Sequence, residues 1–159
     1  MKHIVGVADM KTSGQAGDVI VTHALGSCLG ITVYDPVVHL GGLLHVMMPV
    51  SSINSEKAKS NPYMFVDTAL PKMFKKLYTM GADKKRLIVK VAGGANVQDS
   101  STDRFAIGKR NFITLKKIFW KNNILIKSKD IGGSKARTMY MEIGTGRVWL
   151  SIAGAEHNL

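Results

Sequence analysis

Short runs of β-branched and other apolar residues mark much of the first ninety residues and predict strands. The runs are Ile4–Val7, Asp18–Thr22, Ile31–Tyr34, Leu40–Val46 and Leu87–Val91. Each is short, as strands in globular proteins usually are. The first part of the chain is therefore expected to be rich in β-structure.

A helical period appears between the last two of these runs, where apolar residues recur at spacings of four, three and four. These residues are Val66, Leu70, Met73 and Leu77. Pro62 follows the polar stretch Ser51–Asn61 at a plausible first helical position, and Gly81 is placed to end the helix. Pro71 lies inside the pattern, where it removes a backbone donor, so a kink or break is expected there.

A second amphipathic helix is predicted over Lys109–Asn122, because apolar side chains share one face and basic side chains occupy the rest. The apolar face comprises Phe112, Leu115 and Phe119. A strand-like segment, Ile124–Lys127, follows, and then a hairpin of Thr138–Ile143 and Arg147–Ile152 that turns through Gly144-Thr145-Gly146. This order predicts an α+β fold with two main helices packed on largely antiparallel sheet.

Length and charge narrow the class of protein. The chain has 159 residues, close to the roughly 150 expected of one domain, so residues 1–159 are predicted to form a single domain. Its 22 Lys and Arg residues outnumber 11 Asp and Glu residues, and the net charge of +11 favours nucleic acid, an anionic membrane or an acidic protein surface as partner.

The sequence lacks the patterns of membrane, secreted and metal-binding proteins. No stretch approaches the roughly 18 consecutive apolar residues of a membrane span, and Met1–Met10 has no apolar signal core, so a cytoplasmic protein without membrane insertion is expected. Cys28 is the only cysteine, which excludes an internal disulfide and a cysteine zinc cluster. The histidines have no metal-binding spacing, and no cofactor is expected.

A predicted turn at Asp35-Pro36-Val37-Val38 places the only cysteine near a histidine. If Asp35 pairs with Val38, Cys28 lies opposite His45, with Cβ atoms about 4.5 to 5.5 Å apart. Gly41-Gly42 invites a bulge, however, and a slip of one residue would put the two side chains on opposite faces. The spacing also fits a structural role, with Cys28 a small buried apolar residue and His45 a core histidine.

Paired in this way, Cys28 and His45 have the chemistry of a cysteine hydrolase. A neighbouring imidazolium lowers the pKa of a thiol, and the thiolate attacks a carbonyl carbon, after which His45 protonates the departing amine and activates water. The hydroxyl of Thr22 or Ser27, or a backbone carbonyl, is expected to hold the histidine in one tautomer, and Thr22 is preferred because it ends a predicted strand. Amides of the turn at Gly26 and Ser27 are candidates for stabilising the oxyanion, although Gly26 is equally explained as a turn residue.

Other motif matches lack the flanking elements or residues that their function requires. Gly26-Ser27-Cys28-Leu29-Gly30 matches the nucleophile elbow of α/β-hydrolases, but a strand rather than a helix is predicted after it. Gly93-Gly94-Ala95-Asn96 and Gly132-Gly133-Ser134-Lys135 lack the rest of a phosphate-binding motif. The lysines over Lys109–Lys129 have no recognised nucleic-acid-binding motif beside them, which disfavours nucleic acid as a partner.

Five short motifs occur in order along the chain. They are Thr22 with Leu25-Gly26-Ser27-Cys28, His45-Val46-Met47-Met48-Pro49, Gly93-Gly94-Ala95, Ile107-Gly108-Lys109-Arg110-Asn111, and Gly132-Gly133 with Arg137. Each is weak alone, whereas five in this order at compatible spacing are specific. In them the chain resembles, over nearly its whole length, the CheD family of chemotaxis proteins, which are cysteine-dependent deamidases of receptor glutamines.

The resemblance implies that Cys28 is the nucleophile, His45 the base and Thr22 the residue that orients the histidine. It implies a layered α/β sandwich similar to the deamidating domain of cytotoxic necrotising factor toxins. The implied reaction is hydrolysis of glutamine amides to glutamate and ammonia, through a thioester, on the cytoplasmic helical bundle of methyl-accepting chemotaxis receptors. The implied regulatory partner is the phosphatase CheC, and Asn111 and Arg137 are expected to support the structure around the site.

One position departs from the family pattern. Ala24, preceded by His23, stands where the family commonly has glycine, which bears on the loop before Cys28. Two alternatives to the deamidase therefore stay open. One is a catalytically weak module that binds the receptor or CheC, and the less favoured one is a basic nucleic-acid-binding domain.

Overall fold

The computed structural model describes residues 1–96 and 106–159, in which strands form two five-stranded sheets. The strands are β1 (Lys2–Val5), β2 (Asp9–Ser13), β3 (Val19–Leu25), β4 (Leu29–Asp35), β5 (Leu40–Val46), β6 (Ile88–Gly93), β7 (Ile126–Ile131), β8 (Arg137–Glu142), β9 (Val148–Ile152) and β10 (Ala155–Asn158). The α-helices are α1 (Ser55–Ser60), α2 (Val66–Thr79) and α3 (Ile107–Lys121).

The molecule has three layers. The first sheet has the order β2-β5-β4-β6-β7, and the second has the order β1-β3-β8-β9-β10. Both are antiparallel except at the pairs β6–β7 and β1–β3, which are parallel. Helices α2 and α3 pack on one face of the first sheet, where they bury residues such as Leu70 and Leu115. The other face of the first sheet packs on the second sheet, and Leu43 and Met139 belong to the core between them. The predicted α+β sandwich of mixed sheets with two main helices is confirmed.

Helix α2 runs without interruption through Pro71, so the expected break is not found. The proline ring lies on the exposed side and removes only the bond that its N–H would give to the carbonyl of Asp67. On the opposite side the helix buries an apolar face that compensates for this loss, comprising Val66, Ala69, Leu70, Met73, Phe74 and Leu77. The helix ends as predicted, with Gly81 following it at a φ of +117°.

Elements that bury little apolar surface were not predicted from the sequence. Strand β10 is exposed along its whole length, and helix α1 buries no residue. Strand β2 buries only Met10 and Ser13. Without apolar residues at a regular period, none of these segments carries a pattern that distinguishes it from a loop. In the described part of the chain, no helix is long and apolar enough to cross a membrane.

Strand β3 is irregular just before the segment that carries Cys28. Its pairing with β8 shifts register between Thr22 and Leu25, and Ala24 has a φ of +58°. In this left-handed region a Cβ costs about 1–2 kcal/mol, whereas glycine adopts it freely. The backbone conformation at Ala24 thus favours glycine, the residue that the resemblance implies at this position.

Ala24→Gly is expected to raise the free energy of unfolding by up to about 1 kcal/mol, because relief of the left-handed strain exceeds the added flexibility of the unfolded chain. Urea unfolding measures the change. The matched control, Ala58→Gly in α1, should lower the same free energy by up to about 1 kcal/mol, since Ala58 is helical. Equal destabilisation by both changes would contradict strain at Ala24.

Candidate active site

The β4–β5 hairpin has a different register from the one predicted. Asp35 pairs with Leu40 rather than Val38, so Gly30 lies opposite His45 and the turn contains four residues. The displacement is two residues. Cys28 precedes the first residue of β4 and is not directly opposed to His45, but its side chain packs on the core between the two sheets, across which His45 reaches Thr22.

The side chain of Asp35 explains the longer turn. Its carboxylate is fully buried and accepts hydrogen bonds from the backbone N–H of Val37, at 3.0 Å, and from the guanidinium of Arg86, at 2.8 Å. Burial raises the pKa of Asp35, but these hydrogen bonds outweigh it and hold the pKa well below its usual range. The carboxylate takes the place of the backbone bond that would close a two-residue turn at Val38.

His45 is held from the second sheet. Its Nδ1 lies 2.7 Å from the hydroxyl oxygen of Thr22, and that hydroxyl donates to the carbonyl of Val5 at 2.8 Å. A hydroxyl has one proton, and here Val5 accepts it, so Thr22 must accept from Nδ1–H of His45. The hydrogen bonds therefore fix the tautomer with its lone pair on Nε2.

The free nitrogen of His45 is suited to act as a base. The side chain is buried, and no described residue hydrogen-bonds to Nε2. Burial lowers the pKa of His45 from 6.5 to about 4, so the imidazole is neutral at pH 7. An unpartnered buried nitrogen costs stability in the resting protein, which is typical of a group that hydrogen-bonds during the reaction.

Cys28 lies in a bend, residues 26–28, that links β3 to β4, and its partly buried side chain packs on the core between the sheets. Burial raises the pKa of the thiol, and its own backbone N–H offsets this only in part. The expectation of a thiol pKa lowered by an imidazolium is therefore wrong for the resting site. The Cys28 thiol and the His45 imidazole are both neutral because burial disfavours the thiolate and the imidazolium.

The bend is fixed through its carbonyl groups. Those of Gly26 and Cys28 accept from the backbone N–H of Ala95, at 2.8 Å, and Gly94, at 2.9 Å. The carbonyl of Ser27 accepts from the side-chain amide of Asn111 at 3.0 Å. Within residues 1–96 and 106–159, the N–H groups of Gly26 and Ser27 have no acceptor. These are the two donors predicted to face an oxyanion.

Two motif glycines allow the close approach of these segments. Gly93 has a φ of +110°, and a Cβ there would lie 2.2 Å from the carbonyl oxygen of Cys28. A Cβ at Gly108 would lie 2.6 Å from the carbonyl oxygen of Gly94. Any side chain at either position would displace the segment that holds the bend.

Asn111 and Arg137 act on backbone around the site, as expected. Asn111 also donates to the carbonyl of Met47 at 3.1 Å and so links the bend to the end of β5. Arg137 donates to the carbonyl of Gly93 at 2.6 Å and to that of Gly132. Both side chains are buried, and their contacts are structural.

Of the predicted residues, Thr22 hydrogen-bonds to His45. Among the described residues, His45 has no hydrogen bond to the hydroxyl of Ser27 or to the thiol of Cys28. The elbow match is correctly rejected, because β4 follows Cys28. Val5 was missed, since it contributes a backbone carbonyl and no side-chain signal marks it.

Comparison with known proteins identifies the family of the chain. A family model described as CheD chemotactic sensory transduction matches residues 47–152. A protein of Syntrophus aciditrophicus named probable chemoreceptor glutamine deamidase CheD 1 is 49% identical over 151 residues, which is 95% of this chain and 94% of that protein. A protein of Solibacter usitatus named probable chemoreceptor glutamine deamidase CheD is 45% identical over 156 residues, 98% of this chain and 92% of that protein. The chain therefore belongs to the CheD family.

Proposed function

We propose that this chain hydrolyses glutamine side-chain amides of chemoreceptors, with Cys28 as nucleophile, His45 as base and Thr22 as the residue that orients His45. The relatives carry the name of this activity. The observation that carries the mechanism is the hydrogen-bonded series from Val5 through Thr22 to His45, which leaves Nε2 as a neutral, unpartnered base. Residues 1–159 are taken as one domain that works in the cytoplasm.

In the acylation step, Nε2 of His45 takes the thiol proton as Sγ of Cys28 bonds to the amide carbon. The carbonyl oxygen becomes an oxyanion, to which the N–H groups of Gly26 and Ser27 donate. The imidazolium then gives its proton to the nitrogen as the C–N bond breaks. Ammonia leaves, and a thioester joins Cys28 to the substrate.

In the deacylation step, water attacks the thioester while Nε2 takes one of its protons. The C–S bond breaks, and the imidazolium returns the proton to the sulfur. The products are glutamate and the original thiol. Neutral Cys28 and His45 exchange one proton in each step, so a charged pair exists only while substrate is bound and the N–H groups of the bend can compensate for new charge.

A chemoreceptor substrate requires a surface on this chain to which the receptor can dock. We take the helical bundle of the receptor's cytoplasmic region as the docking surface and CheC as a regulatory partner where it is present. The net charge of +11 favours approach to an acidic surface, with an association rate that falls as salt increases. A module that only binds these partners would keep the same surface without needing a free base at His45.

Cys28→Ala is expected to reduce deamidation by at least about 10³-fold, because no acyl-enzyme forms without the sulfur. Mass spectrometry of a purified receptor cytoplasmic region measures conversion of glutamine to glutamate. The control His23→Ala alters an exposed side chain of the same strand as Thr22 and should stay within about twofold of the unsubstituted protein. Unchanged activity in Cys28→Ala would reject covalent catalysis, and no activity in any form would favour the binding module.

Thr22→Val should lower kcat by about 10- to 100-fold with little change in KM, because the imidazole loses its orienting acceptor while substrate contacts persist. It should also lower the free energy of unfolding by about 1–3 kcal/mol, since the Val5 carbonyl and the His45 Nδ1–H are left unpaired. Thr22→Ser keeps the hydroxyl and should restore most of kcat. Full activity in Thr22→Val, combined with a loss in Ser27→Ala, would make Ser27 the orienting residue instead.

Without substrate, the pH dependence of Cys28 alkylation and of His45 protonation distinguishes a neutral thiol and imidazole from a thiolate–imidazolium ion pair. The rate of Cys28 alkylation by iodoacetamide should rise with pH and reach half its maximum at a higher pH than that of a small free thiol, because burial raises the pKa of Cys28. An NMR titration should give His45 a pKa of about 4. A plateau of fast alkylation below neutral pH would show a resting thiolate and contradict the assignment.

A further inference from the structure

Two apolar side chains protrude at the end of α3 that is farther from the active site. Trp120 is 81% exposed, and Leu125, in the segment between α3 and β7, is 86% exposed. Both line one shallow groove. Exposed apolar side chains are common singly, but an indole and a leucine side by side form a patch that marks a contact surface.

The patch is surrounded by positive charge. Lys116, Lys117 and Lys121 line the same groove as Trp120 and Leu125, and these five residues are here called the Trp120 surface. A neighbouring groove adds two further lysines beside Leu125, Lys84 and Lys85. From residue 105 to residue 129 the sequence contains no aspartate or glutamate. The Trp120 surface thus combines apolar groups with a local excess of positive charge.

This combination distinguishes between the anionic partners that the net charge allows. Stacking on nucleic-acid bases uses the indole and the lysines but leaves the aliphatic Leu125 in water. The headgroup layer of an anionic bilayer accommodates all three groups. Tryptophan is favoured at that depth, leucine enters the acyl boundary and lysines pair with lipid phosphates while their stems remain in apolar surroundings.

We propose that the Trp120 surface binds peripherally to anionic phospholipid bilayers. The binding lies at headgroup depth and involves no spanning segment. Helix α3 connects this surface to the active site, because Asn111 holds the Cys28 bend and Trp120 follows nine residues later, a rise of about 14 Å along the helix. The proposal stands independently of the deamidase activity.

Co-sedimentation with lipid vesicles tests the proposal with the full chain and no receptor. Binding is expected to phosphatidylcholine vesicles that contain about one third phosphatidylglycerol, and not to phosphatidylcholine alone. Trp120→Ala combined with Leu125→Ser should lower the partition coefficient at least about tenfold. Lys117→Gln combined with Lys121→Gln should lower it by about 30-fold, from about 1 kcal/mol for each lysine.

Matched controls separate the Trp120 surface from net charge. Lys57→Gln combined with Lys59→Gln removes the same charge from the exposed helix α1 and should change binding less than about twofold. In a Trp149→Phe background, Trp120 is the only tryptophan, and its emission should shift to the blue on anionic vesicles. Equal losses in both lysine pairs, absence of vesicle binding, or Trp120-dependent binding only to an oligonucleotide or an acidic protein would overturn the proposal.

Discussion

The hydroxyl of Thr22 has a single proton, and its direction determines the chemistry of the candidate site. Strands β1 and β3 pair in parallel with Val5 opposite Thr22, which brings the Val5 carbonyl within reach of that proton. Thr22 is then left only as an acceptor towards His45, and the imidazole must carry its own proton on Nδ1. The basic nitrogen is thus positioned by strand pairing in the second sheet, although His45 belongs to the first.

The backbone of the bend at residues 26–28 depends on a second set of constraints. Its carbonyl groups are held by Gly94, Ala95 and Asn111, and close approach requires glycine at 93 and 108. Within the part of the chain that the structure describes, the N–H groups of Gly26 and Ser27 have no acceptor while the carbonyls of the bend are occupied. Several of the short motifs that carry the resemblance therefore hold the backbone of this bend in place.

Sequence reasoning proposed the residues of the candidate site but predicted the wrong register for the hairpin between them. Asp35, whose side chain replaces a backbone acceptor, caused that error. The helices were predictable because their buried faces repeat at the helical period. The role of Val5 was not predictable, since a carbonyl has no residue-specific signal and the β1–β3 pairing joins distant parts of the chain. The importance of Asn111 and Arg137 came only from resemblance, because periodicity does not reveal a side chain that binds backbone.

The neutral resting state of Cys28 has a consequence for the protein's response to oxidants. Peroxide and disulfides react with thiolates, and burial keeps this sulfur protonated near neutral pH. The site therefore differs from redox-sensing cysteines, which depend on a low thiol pKa and easy access. A thiol that stays protonated reacts slowly with oxidants, and the sequence contains no second cysteine with which Cys28 could form a disulfide within the chain.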